Sequence, residues 1–178
     1  MKKKELALSK VYKLLEPGPV VLMTTCYKDE IDVMAMSWTM PIEFEPPMFA
    51  CIVSNRNHSF DLLKKSKECS INIPSDKMLD KIVEVGNISG AKVDKFKKFN
   101  LMVEKADTIK APFLSECFAN LECRIKDVSL VGKYGLFILE VEKGRIASVK
   151  KGYKMVHHRG NGIFVVDGKV IKTSSSKK

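Results

Sequence analysis

The sequence predicts a mainly β fold, an antiparallel barrel with helices at its periphery. Three observations carry that expectation. Segments rich in strand formers recur along the chain and pair around turn residues into hairpins. The helical segments between them are short. The long strand–helix alternation of a parallel nucleotide-binding sheet is missing, and so is a G-x-G-x-x-G loop. Closing such a sheet also removes exposed strand edges.

In chain order, Leu6–Leu15 reads as a short amphipathic helix, ended by Pro17-Gly-Pro19. Val20–Tyr27 and Ile31–Ser37 read as a hairpin about Lys28-Asp-Glu30. Ile42–Phe44 is a short extended stretch, and Pro46-Pro47 separates it from a strand over Met48–Val53. Phe60, Leu62 and Leu63 then mark a helix face, with Lys64, Lys65 and Lys67 at the end that favours cations. Cys69–Pro74 is a strand, Lys77–Val83 a helix behind Ser75, Gly86–Gly90 a loop, and Val93–Lys98 a short helix presenting Val93, Phe96 and Lys97. Phe99–Lys105 and Ala111–Ser115 are connections. Ala119–Leu130 and Gly135–Val149 form a second hairpin. Asp167-Gly168 predicts a third, between Gly162–Val166 and Lys169–Ile171. The domain is expected to span 1–172, with 173–178 a disordered basic tail.

Composition bounds the function. The 178 residues suffice for one domain with a substantial core, and 45% are apolar. No apolar run approaches the length that crosses a bilayer, and charges interrupt any signal-peptide core after Met1. A cytoplasmic protein is expected. The five cysteines include no C-x-x-C, which suits a reducing compartment and buried structural thiols. The one His pair, His157-His158, places its rings on opposite faces of a strand, so no metal is expected. The net charge of +10 arises from 31 basic and 21 acidic residues. It suits nucleic acid, but equally solubility or a phosphorylated ligand. No helix-turn-helix, zinc finger or RNP-like motif accompanies it, which disfavours nucleic acid.

Two stretches carry chemistry. Ser54-Asn-Arg-Asn-His58-Ser59 joins a strand to a helix, with Asn57 or Ser59 available as its N-cap. The free amides of a first turn, beside Arg56, suit a phosphate; an ordinary capped helix is the plainer alternative. Met34-Ala-Met-Ser-Trp38 ends the first hairpin. Ala35 and Ser37 let backbone approach a flat ligand closely, and Trp38 offers ring surface, either to a ligand or to the core or a dimer interface.

Taken together, these residues resemble a family. Glu16-Pro-Gly-Pro-Val-Val, Ala35-Met-Ser-Trp38, Pro46-Pro47, Ser54-Asn-Arg56 with His58-Ser59, Cys69-Ser-Ile-Asn-Ile-Pro74, Ser89-Gly90 and Asp94-Lys-Phe96 follow the order seen in flavin reductase-like, FMN-binding split-barrel proteins, the flavoredoxin type above all. The resemblance implies a six-stranded antiparallel Greek-key split barrel, a homodimer, and FMN bound near the subunit interface. It further implies that Ala35, Met36, Ser37 and Trp38 line the flavin ring and ribityl chain. Ser54 and Asn55 would follow the chain, while Arg56, His58, Ser59 and Lys95 would hold the phosphate. The chain departs from the family at Ser59, where Thr is common, and at Cys69, where Phe is usual. The segment after Val149, with Tyr153, His157, His158 and Arg159, matches no motif and is expected to cover the flavin or support the dimer.

The flavin would then carry the redox chemistry, so no triad or paired carboxylates are needed. Three readings compete: an NAD(P)H-dependent flavin reductase, a flavoredoxin-like carrier reduced by another redox protein, and a cofactor-free, basic nucleic-acid-binding protein.

Overall fold

The computed structural model describes residues 18–147 and 152–174. The expected N-terminal helix and the last residues of the tail lie outside them.

A seven-stranded, wholly antiparallel sheet organises the chain. Its strands are β1 (Val21–Tyr27), β2 (Glu30–Met36), β3 (Thr39–Phe44), β4 (Pro47–Ile52), β5 (Glu68–Ile73), β8 (Ala119–Asp127) and β9 (Leu136–Ile146), in the order β2-β1-β5-β8-β9-β4-β3. The edge strands β2 and β3 are consecutive in the chain, and only Ser37 and Trp38 separate them. The sheet therefore curls until its two edges meet, giving the split barrel. The family resemblance implied six strands and the sheet has seven; β2 and β3, already separate segments in the sequence, are divided by a tight bend at Ser37, where Thr39 N–H donates to Ser37 O at 3.0 Å.

The register fixes which side chains face inward. Val21 pairs with Met36 and Met23 with Met34, so those four share one face. They fill the barrel with Cys51, Cys69, Ile71, Cys123, Leu139 and Phe137, and Phe60 meets Phe137 edge-on at 5.6 Å. The alternate residues Val20, Leu22 and Val33 face outward but are equally buried. They lie under α2 (Leu79–Asn87) and α3 (Lys95–Lys98), packed with Ile82, Val85 and Phe96. α1 (His58–Ser66) carries the chain from β4 back to β5 beside β1, and contributes Phe60 and Leu63 to the barrel.

Several local expectations change. Lys95 and Phe96 are the buried residues of α3, whereas Lys97 is exposed and pairs with Asp94. The residues expected to be connections form a two-stranded sheet of β6 (Val103–Glu104) and β7 (Phe113–Leu114). A four-residue helix, α4 (Val131–Tyr134), occupies the β8–β9 connection. Asp167-Gly168 is not a hairpin turn. β11 (Phe164–Val166) pairs instead with β10 (Val156–His158), and the reversal uses the left-handed residues Gly160, Asn161 and Gly162. Asp167 is committed elsewhere: its carboxylate accepts Met155 N–H at 2.9 Å and meets His157 Nε2 at 3.0 Å.

All five cysteines are free and buried. Burial pushes the thiols of Cys51 and Cys117 up to about 12, far from the range of a reactive thiolate. Among the described residues, no helix is long and apolar enough to cross a membrane, and no three His, Cys, Asp or Glu side chains are grouped to hold a metal.

Candidate flavin site

The site begins where β4 ends. Val53 N–H donates to Gly135 O at 2.9 Å, and the chain then turns: Asn57 N–H donates to Ser54 O, and Arg56 N–H to Ser54 Oγ at 3.3 Å. Leu62 and Leu63 on α1 are 2% and 0% exposed, so the helix is anchored by its apolar face and its first turn is left facing a pocket. Asn57 stands at the N-cap, but its side chain does not cap the helix; its Nδ2 lies 4.0 Å from Met34 Sδ. Ser59 does not cap it either. Its hydroxyl donates to Asp32 Oδ2 at 2.6 Å.

Two adjoining pockets run along β2, an edge strand of the sheet. The lower one, about 160 Å³, is polar; Arg56, His58, Ser59, Asp32, Ser89 and Lys95 stand around it. The upper one, about 260 Å³, is largely apolar and is walled by Val20, Ala35, Ser37, Ile82, His158 and Phe164. Ala35, Gly86 and Asn87 belong to both, so the two form one cleft between β2, the C-terminal end of α2 and the β10–β11 hairpin.

Electrostatics in the lower pocket are set by an exposed pair and a buried one. His58 Nε2 meets Glu30 Oε1 at 2.7 Å. Lys95 Nζ donates to Val33 O at 2.6 Å and to Val85 O at 3.1 Å, and lies 3.8 Å from Asp32 Oδ1. Burial lowers the Lys95 ammonium from its ordinary range, while Asp32 opposes that shift. Gly90 closes over Asp32 so tightly that a Cβ there would lie 2.1 Å from Oδ1.

The β10–β11 hairpin is held to the barrel by Val20 N–H donating to Val156 O at 2.7 Å. It presents His158 and Phe164, with ring centroids 5.1 Å apart, to the upper pocket.

Of the residues singled out in the sequence, the structure brings Ala35, Met36, Ser37, Arg56, His58, Ser59 and Lys95 to this cleft. Trp38, Ser54 and Asn55 line neither pocket; Trp38 is 55% exposed beside the entry to β3. Sequence reasoning did not single out Asp32, Asn87 or Phe164; Gly90 entered it through the Ser89-Gly90 motif and His158 within the segment expected to cover the flavin or support the dimer. Asp32 falls on a strand, where a polar residue reads as solvent-facing, and the pairing of β10 with β11 was hidden by the stronger Asp-Gly turn signal.

A second concavity, about 360 Å³ and almost wholly apolar, opens at the mouth of the barrel between Val21, Ile71, Leu121, Val141, Phe49 and Phe44. Its rim exposes Met40 at 59% and Phe44 at 89%. Pro19 lines this groove and Val20 the upper pocket, so the two are neighbours.

Comparison with known proteins agrees with this architecture. An uncharacterised Escherichia coli protein, YddH, is 30% identical over 171 residues, covering 88% of this chain and 90% of that one. An uncharacterised protein of Archaeoglobus fulgidus is 30% identical over 110 residues, 62% of each chain, so there the match spans less than two thirds of the relative. Among solved structures, flavoredoxin of Desulfovibrio vulgaris (Miyazaki F) superposes with a TM-score of 0.85 at 20% identity, over 99% of both chains. An FMN-binding domain of a flavin reductases-like enzyme from Shewanella baltica superposes with a TM-score of 0.83 at 22% identity, over 95% of this chain and 96% of that one. At those identities the superpositions establish the split-barrel fold. The sequence pattern of the flavin reductase like domain matches residues 14–162, and the chain belongs to that family.

Proposed function

We propose that this chain binds FMN in the cleft along β2 and transfers electrons through it, with NAD(P)H or another redox protein as donor. One observation carries the reading: an apolar slot and a cation-lined polar pocket share a wall, in the order that a flavin ring and its phosphate require. Ala35, Met36 and Ser37 lie along the ring and ribityl chain, with Trp38, Ser54 and Asn55 at the rim. Arg56, His58, Ser59 and Lys95 surround the phosphate, beside the N-terminus of α1. Bound FMN would supply the redox chemistry, and the protein's part is to hold it, shield it and set its electrostatics. An absorbance spectrum of the purified protein, followed by anaerobic NADH and NADPH, tests this. A flavin spectrum bleached by either nucleotide identifies a reductase; a flavin spectrum bleached by neither favours a carrier; a colourless protein that takes up no FMN overturns the reading.

Arg56→Ala is expected to weaken FMN by about 1.5–3 kcal/mol, one charge-assisted contact, and to leave riboflavin nearly unchanged. Equal loss for both ligands would show that Arg56 does not meet the phosphate.

The same proposal includes a homodimer. The apolar mouth of the barrel and the exposed Met40 and Phe44 are covered by a second copy, which brings Trp38 and the upper pocket to the interface. FMN is then expected to strengthen association. Sedimentation at falling concentration, with and without FMN, checks it; a monomer with full FMN affinity at every concentration rules it out.

A further inference from the structure

We infer that Asp32 makes the lower pocket take a phosphate monoester together with one proton, held between the phosphate and the Asp32 carboxylate. This deepens the FMN reading and rests on it.

The argument is a donor count. Ser59 is fully buried and has one O–H, which it gives to Asp32 Oδ2 at 2.6 Å. Toward a ligand its oxygen offers lone pairs only. Lys95 has three N–H groups; two go to the carbonyls of Val33 and Val85, and Asp32 Oδ1 stands 3.8 Å away. Ser59 therefore has no proton to give a phosphate, and Lys95 keeps one N–H beyond its two carbonyl bonds. Asp32 itself, 2% exposed, lines the pocket as a carboxylate that can only accept. A dianionic phosphate placed there meets the Arg56 cation but also, at Asp32, an acceptor of like charge, and one shared proton turns that repulsion into a hydrogen bond.

The other charged or titratable groups facing the pocket are Arg56 from the turn before α1, His58 from α1 with its partner Glu30 from β2, and Lys95 from α3. Residues 86–90, which close the pocket from α2, add none. The His58–Glu30 pair is thus the competing site for a proton.

The sign follows from linkage. A free phosphate monoester loses its second proton near pH ~6, and the bound group retains it to higher pH. Affinity is then full below about pH 6 and falls roughly tenfold per pH unit above it. Riboflavin, which lacks the phosphate, shows no such slope.

The experiment is titration calorimetry of the whole chain with FMN and with riboflavin at about pH 8, in two buffers of different ionisation enthalpy. The expected result is uptake of about one proton per FMN and none per riboflavin. Asp32→Asn should abolish the uptake and bind FMN at least as tightly, while riboflavin binding reports that the variant is folded. Should the Asp32→Asn variant not fold, His58→Gln decides: uptake of about one proton that persists in it supports the inference, and uptake lost with the imidazole overturns it. FMN binding without uptake overturns this inference and leaves the flavin reading intact. Uptake that survives Asp32→Asn and disappears in His58→Gln overturns it too, by moving the proton to the imidazole. Failure to bind FMN at all removes the flavin reading and the inference with it.

Discussion

Gly135→Ala is expected to destabilise the fold by about 3 kcal/mol or more and to weaken FMN binding. Gly135 ends α4 in the left-handed region, at φ 67° and ψ 18°, a conformation that costs an L-residue about 1–2 kcal/mol. Space adds the rest. A Cβ there would lie 2.5 Å from Val53 O and 3.3 Å from Val53 C, and backbone atoms cannot swing aside like a side-chain tip. Val53 is 0% exposed and bonded through its N–H to Gly135 O, so relief requires the end of β4 and the start of β9 to separate. Ser54, which holds the turn carrying Arg56, follows directly. Urea unfolding monitored by circular dichroism measures the first effect, and FMN and riboflavin titrations the second. Gly135→Asn separates the causes: asparagine tolerates left-handed backbone but keeps the Cβ, so it should recover little. A Gly135→Ala protein within about 0.5 kcal/mol of wild type, the range of an innocuous surface change, would show that the approach to Val53 is loose.

Legibility from sequence followed the range of the interactions. The β1–β2 and β8–β9 hairpins were readable because period-2 alternation and nearby turn residues are local properties. The order Ser54-Asn-Arg56, His58-Ser59 was readable as a turn into a helix because a helix start is also local. What was not readable depends on partners distant in sequence. Asp32 meets Ser59, 27 residues away, and Lys95 gives its protons to Val33, 62 residues away. Both were judged by their own neighbourhoods. Lys95, expected to reach the phosphate, lines the pocket at 4% exposure, with its ammonium held by the carbonyls of Val33 and Val85. Similarly, Asp167-Gly168 has the composition of a hairpin turn, but its carboxylate is drawn to Met155 and His157 across a pairing that only the tertiary structure reveals. The outward face of β1 was hidden for a related reason. Strands of an antiparallel barrel are expected to be wet on one side, yet α2 and α3 bury Val20 and Leu22 as fully as the barrel buries Val21 and Met23.

Gly90→Ala is expected to cost about 3 kcal/mol of stability and to abolish the preference for FMN over riboflavin. Its backbone is ordinary, so the effect is purely one of space. The added Cβ would stand 2.1 Å from Asp32 Oδ1 and 2.6 Å from Cγ, far inside contact distance. Asp32 cannot rotate away cheaply. Its other oxygen is bonded to Ser59 at 2.6 Å, and Lys95 lies on its flank at 3.8 Å. Either that buried network breaks, leaving charge with poorer partners, or the loop over residues 88–90 lifts off the pocket. Both routes disorder the polar half of the cleft, whereas the upper wall of Val20, Ala35 and Ile82 is spared. Riboflavin should therefore bind nearly as before, and FMN should lose at least about tenfold, equivalent to one charge-assisted contact. A double-mutant cycle identifies the cause. Asp32→Ala removes the atoms that Gly90→Ala strikes, so the double variant should be more stable than the sum of the single losses predicts, by about 1 kcal/mol or more. Losses that add to within about 0.5 kcal/mol would mean that the two residues do not meet.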